Sequence, residues 1–187
     1  MAWTESVMEV GFKTRGKLLF DFLQMKPEDK KCDKFYKDVA KFIISSFAVR
    51  SEYRYVSEGV HELLESWGEK NVPEYKRKYT VERYKKNFTN EHTIPTSVIV
   101  DYIKNLAEND SKKLTAEFLS DLLKKVSGMA LITKDEDKIL NKAHLQRKLP
   151  DGVSLDDILS GKNKKPHYIR YKEAGIKLFK KNDNARP

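Results

Sequence analysis

Cysteine is almost missing from this chain: Cys32 stands alone among 187 residues. One thiol excludes an intramolecular disulfide, a cysteine zinc site and the stapled framework of a small secreted domain. Histidine is scarce as well. His61, His92, His144 and His167 stand far apart with no i, i+4 pair, so no metal-ligand spacing is present. With only eight glycines there is no glycine-rich phosphate loop and no G-x-S-x-G elbow. No apolar run approaches the roughly 18–20 residues that cross a bilayer. Glu5 and Glu9 interrupt the apolar residues at the start, so a signal-peptide core is lacking too. The expectation is a cytoplasmic protein with no cofactor, no metal and no membrane partner.

What the chain does have is charge. Charged residues make up 35% against about 25% in an average domain, and the hydrophobic share is 39%. Regular apolar stripes still argue for a folded chain of one domain, or two small ones closely packed. The net charge of +9 is unevenly placed. Residues 76–88 hold six basic side chains against Glu82, and residues 162–187 hold nine against two. Those segments carry +5 and +7, which leaves the remainder at about −3. Concentrated positive charge is the footprint of a polyanion-binding surface. A Lys-rich, Pro-poor composition also fits a microbial or phage intracellular protein.

The segment Tyr75–Phe88, YKRKYTVERYKKNF, interleaves basic residues with Tyr75, Tyr79, Tyr84 and Phe88. Lysine and arginine neutralise phosphates, and flat aromatic rings can stack on bases. The expected nucleic-acid contacts are Lys76, Arg77, Lys78, Tyr79, Arg83, Tyr84, Lys85 and Lys86, joined by Lys164, Lys165, Arg170 and Lys172 from the basic tail. Aromatics spaced by four and five residues would share one helix face, with cations to the sides. Such a surface reads phosphate backbone rather than base edges.

Apolar spacing predicts helices over about 4–25, 33–49 and 51–67, the last stopped by Gly68, and these would form an antiparallel bundle. Gly11 and Gly16 weaken the first. Further helices are expected at about 96–108 and from Thr115 to Gly128, each with an apolar stripe. Thr133–Glu136 is a capping box opening a helix through Leu145, and Ser154 starts a shorter one. Met129–Ile132 could be a strand that pairs with the loosely alternating stretch 167–179. The predicted fold is therefore mainly α: a helical bundle in two halves with at most a small two-stranded sheet near the C-terminus. Residues 1–70 form the N-terminal bundle, 71–95 a basic-aromatic bridge and 96–187 the C-terminal half.

Two short strings resemble known nucleases. Asn90-Glu91-His92-Thr93-Ile94-Pro95 resembles the first motif of HNH nucleases, which implies His92 as a general base beside a metal. It is equally explained as a turn that opens a helix. Arg54 to His61 resembles the R-x(4–6)-H spacing of the all-α HEPN ribonucleases, which implies RNA cleavage across a dimer interface. The leading expectation is a non-enzymatic accessory, regulatory or phage/defence-associated protein that binds DNA or RNA. The alternatives are a small nuclease and a protein–protein inhibitor or adaptor working within a larger protein or ribonucleoprotein complex.

Overall fold

The computed structural model describes residues 5–25, 38–43, 55–72 and 81–181. Their elements run α1 (Glu5–Gln24), a helical segment at 38–43, β1 (Tyr55–Ser57), α2 (Glu58–Ser66), α3 (Glu82–Asn87) and β2 (Phe88–His92). There follow α4 (Thr96–Asn109), α5 (Ala116–Val126), β3 (Met129–Thr133), α6 (Lys134–Lys142), α7 (Leu155–Leu159), α8 (Ile169–Glu173) and β4 (Leu178–Lys180). Among the described residues the strands form a four-stranded mixed sheet in the order β2-β3-β1-β4. β1 runs parallel to β3, with Tyr55 opposite Ala130. β2 runs antiparallel to β3 from Phe88–Thr133 to His92–Met129, and β4 antiparallel to β1.

This sheet overturns the expected helical bundle with a small C-terminal sheet. Three of its four strands lie between residues 55 and 133, and the chain is an α/β mix. Tyr55–Ser57 hides inside the apolar run read as one helix over 51–67. All three strand residues are buried, so no alternation marks them. Ser57 then caps α2 by accepting from the Val60 amide at 3.3 Å, which fixes the strand-to-helix join. Phe88–His92 reads as FTNEH, poor in strand-formers, because β2 is an edge strand with one strongly buried residue, Phe88. Met129–Thr133 is a strand, but its partners are β1 and β2 rather than 167–179. Most of that stretch is a 3-10 turn (Pro166–Tyr168) and α8, and only Leu178–Lys180 is β-structure.

Apolar side chains of the described residues gather into three clusters. On one sheet face Val60 and Leu64 of α2 and Tyr84 of α3 cover Val56, Phe88, Met129 and Leu131. On the other, Leu140 of α6 and Tyr171 of α8 cover Tyr55, Ala130 and Ile132. The third cluster joins α1, segment 38–43, α4, α5 and α7 around Leu19, Ile99, Leu119 and Leu123, with Ile94, Leu114 and Leu149 added from the loops. Full burial of each such leucine or isoleucine contributes about 1.5–3 kcal/mol. Among the described residues α1 packs on α5 while α2 joins the sheet. Gly16 has a packing reason. A Cβ there would stand 2.6 Å from the Ala116 carbonyl oxygen and the Ser120 amide nitrogen, so only glycine lets the helices cross this closely.

The helix starts read at Thr115, Thr133 and Ser154 hold. Thr115 accepts from the Phe118 amide, and Thr133–Glu136 and Ser154–Asp157 form reciprocal capping boxes.

Candidate functional site

Lys76, Arg77, Lys78, Tyr79 and Arg54 lie outside the described residues. The basic-aromatic segment begins, for structural purposes, at α3. There the sequence expectation divides. Tyr84 is 4% exposed and stacks against both Trp67 and Phe88, so its ring serves the core. Arg83 lies over the Trp67 ring at 4.4 Å and is paired with Glu69, which also takes the Tyr84 hydroxyl. Lys85 leans toward Glu82, while Lys86 has no ion pair among the described residues. In the tail, Lys164 and Lys172 are exposed, and Lys165 lies 5.9 Å from the Tyr168 ring.

Arg170 departs furthest from the expected surface role, being 1% exposed. Its guanidinium donates to the carbonyls of Thr93 (3.1 Å), Leu145 (2.9 Å) and His92, to the Glu91 carboxylate and to the Tyr171 hydroxyl at 3.1 Å. It fastens α8, the end of β2 and the segment after α6 together, as buried charges do when every donor is used.

That fastening builds a cleft of about 530 Å³ at the outer end of β2. Glu91 and His92 come from the strand, Pro95, Thr96 and Ser97 from the start of α4, Gln146 and Arg147 from the segment after α6, and Lys41 from segment 38–43. Ser97 donates to the Arg147 carbonyl at 2.8 Å, and Gln146 donates to Asp137 at 3.3 Å. With Arg170 bonded to the Leu145 and Gln146 carbonyls, the backbone that carries Arg147 is held on three sides. Arg147 itself is exposed. The neighbouring basic turn is tied to the same wall: His167 Nδ1 stands 2.7 Å from Thr93 Oγ1, and Thr93 is fully buried beside His92. Gly128 makes that contact possible, because a Cβ there would fall 2.5 Å from Thr93 Oγ1.

Burial and the Arg170 charge together hold the His92 imidazole down to about 4, so it is neutral at neutral pH. Burial pushes the Glu91 carboxyl up against the pull of Arg170, while Tyr171 and Glu91 keep Arg170 charged despite its burial. Burial also raises the Tyr171 phenol. Lys41, Arg147, Glu91 and a neutral imidazole thus line the cleft, and the buried Arg170 guanidinium is bonded to Glu91 and His92 behind them. Perturbed groups gathered in a concavity mark functional sites.

The sequence pointed to His92 and Glu91 through the acid-His-x-x-Pro string, but for metal chemistry. Among the described residues no group of three or more His, Cys, Asp or Glu side chains is placed to hold a metal. His61 lies on α2 with its ring 6.0 Å from Phe179, and the mixed sheet departs from the all-α HEPN architecture. Lys41, Gln146 and Arg147 were missed. They sit in no periodic pattern, and only the tertiary fold brings them to β2. No described helix is long and apolar enough to cross a membrane. Comparison with family models, curated proteins and solved structures finds no match to this chain.

Proposed function

We propose that this protein binds DNA or RNA through the phosphate backbone at the cleft beside β2. Lys41 and Arg147, which line it, take phosphates, and the exposed Lys164, Lys165 and Lys172 of the basic tail are further contacts of this reading. The observation that carries this reading is the cleft itself. Residues 41, 91–92, 95–97 and 146–147, distant in sequence, meet around an exposed arginine whose backbone is pinned in advance. Arginine offers phosphate a two-pronged partner, and a pre-ordered one loses less entropy on binding. The +9 net charge supplies long-range attraction to a polyanion. Cleavage fits less well. A general base works best with a pKa near the working pH, and an imidazole near 4 is a poor proton acceptor.

Fluorescence anisotropy with a short single-stranded RNA and a DNA duplex tests this. Charge reversal at Lys41 and Arg147 should weaken binding about tenfold or more and make the log–log salt dependence shallower by about 2. Affinity and salt slope unchanged in that double variant refute the cleft as the contact.

A further inference from the structure

A second cleft, of about 560 Å³, lies at the opposite end of the sheet. It opens where the parallel strands β1 and β3 end at Ser57 and Thr133, and where α2 and α6 begin directly after them. These helices leave to opposite faces, α2 over Val56 and Leu131, α6 over Tyr55 and Ile132. Adjacent parallel strands whose following helices diverge leave a crevice beyond their carboxyl ends, and in open α/β sheets ligands bind at such switch points.

The side chains at this crevice fit one class of ligand. Lys86 from α3 and Lys134 from α6 line it, are exposed, and have no ion pair among the described residues. Asp135 is taken by Lys138 at 2.8 Å, which leaves Glu62 of α2 as the lining carboxylate without a partner among those residues. The amide of Glu136 is already occupied by Thr133 Oγ1, so the backbone start of α6 is not what would hold an anion. Two ammonium groups and one carboxylate lining the same cleft match a ligand that carries both phosphate and hydroxyl donors.

We propose that this crevice binds a nucleoside phosphate, with Lys86 and Lys134 on the phosphates and Glu62 accepting from ribose hydroxyls. A nucleotide and the backbone of a nucleic acid share the phosphate ester, so the probes must separate them. Isothermal titration calorimetry of the full chain with ADP, with inorganic pyrophosphate and with the short RNA does so. ADP should bind saturably in the micromolar to low millimolar range. The K86E/K134E variant should lose at least tenfold in ADP affinity while losing less RNA affinity than the Lys41/Arg147 double variant, because the RNA cleft is at the other end of the sheet. E62Q should weaken ADP severalfold and leave pyrophosphate unchanged. All these side chains are exposed or at the rim, so unchanged circular dichroism is expected in each variant. No saturable ADP binding by the unaltered protein, or equal ADP affinity in K86E/K134E, overturns the proposal. Loss of ADP affinity in the Lys41/Arg147 double variant instead would place the nucleotide in the other cleft, and that also overturns it.

Discussion

Replacing Arg170 with Met keeps most of the side-chain volume and removes the charge from a position that is 1% exposed. Glu91, whose side chain is 17% exposed, then loses its cation, and the carbonyls of His92, Thr93 and Leu145 lose a donor. Breaking a buried pair by removing one partner costs about 3–5 kcal/mol, and each stranded buried acceptor costs about 1 kcal/mol or more. Some carbonyls will recover water at the cleft, so R170M is expected to lose about 4 kcal/mol at neutral pH. Urea unfolding followed by circular dichroism measures it. The loss should depend on pH. Burial already raises the Glu91 carboxyl, and without Arg170 nothing opposes that rise. A group whose folded pKa lies above its unfolded value stabilises below the unfolded value and loses that contribution as pH climbs through the folded one. The gap between R170M and the unaltered protein should therefore narrow toward pH 4, and the E91Q/R170M pair should lose clearly less than the sum of the single changes. A loss under about 1 kcal/mol at pH 7, or a gap constant down to pH 4, refutes Arg170 as the fastening of the β2 cleft.

Three further outcomes follow from single residues. His92 is held at about 4 in the folded chain against an ordinary 6.5, so it stabilises fully above 6.5 and loses that contribution as pH falls toward 4. This amounts to about 3 kcal/mol, and H92Q should flatten the acid limb of a stability–pH curve by that much; an unaltered limb contradicts the burial argument. Gly16→Ala puts a Cβ 2.6 Å from the α5 backbone and should lower stability by about 1–3 kcal/mol, although alanine is the better helix former; a gain in Tm would show that α1 does not cross there. Glu136→Ala removes the acceptor for the buried Ser57 hydroxyl (2.5 Å) and for the Thr133 amide (2.8 Å). A loss of about 2 kcal/mol in the same urea assay is expected, and a neutral result would mean that the join of β1 to α2 does not depend on it.

Much of the helical framework could be read from the sequence because its signals are local. Thr115, Thr133 and Ser154 announce helix starts through bonds that span three residues, and the stripes of α4 and α5 need only their own turns. The sheet could not be read, because its signals are not local. β1 is three residues long and buried throughout, and what makes Tyr55–Ser57 a strand is the presence of Ala130 and Lys180 on either side. Charge counting could not separate buried from exposed cations for a related reason. Arg170 and Lys172 look alike in sequence, yet one is sealed behind Glu91 and the other faces solvent. Arg83 belongs to Trp67 and Glu69, which flank the Gly68 stop of the helix expected over 51–67.

The position of β1 also bears on how this protein is made. Its two neighbours in the sheet lie 75 and 125 residues further along, counted from Tyr55 to Ala130 and to Lys180. No hairpin can shelter it early, since both pairings close long loops. During synthesis the strand therefore waits while α4 and α5 emerge and pack, and its second edge stays uncovered until almost the whole described chain has left the ribosome. A nascent chain stalled before residue 178 should present an open Tyr55–Ser57 edge, where chaperones or stray strands would find it.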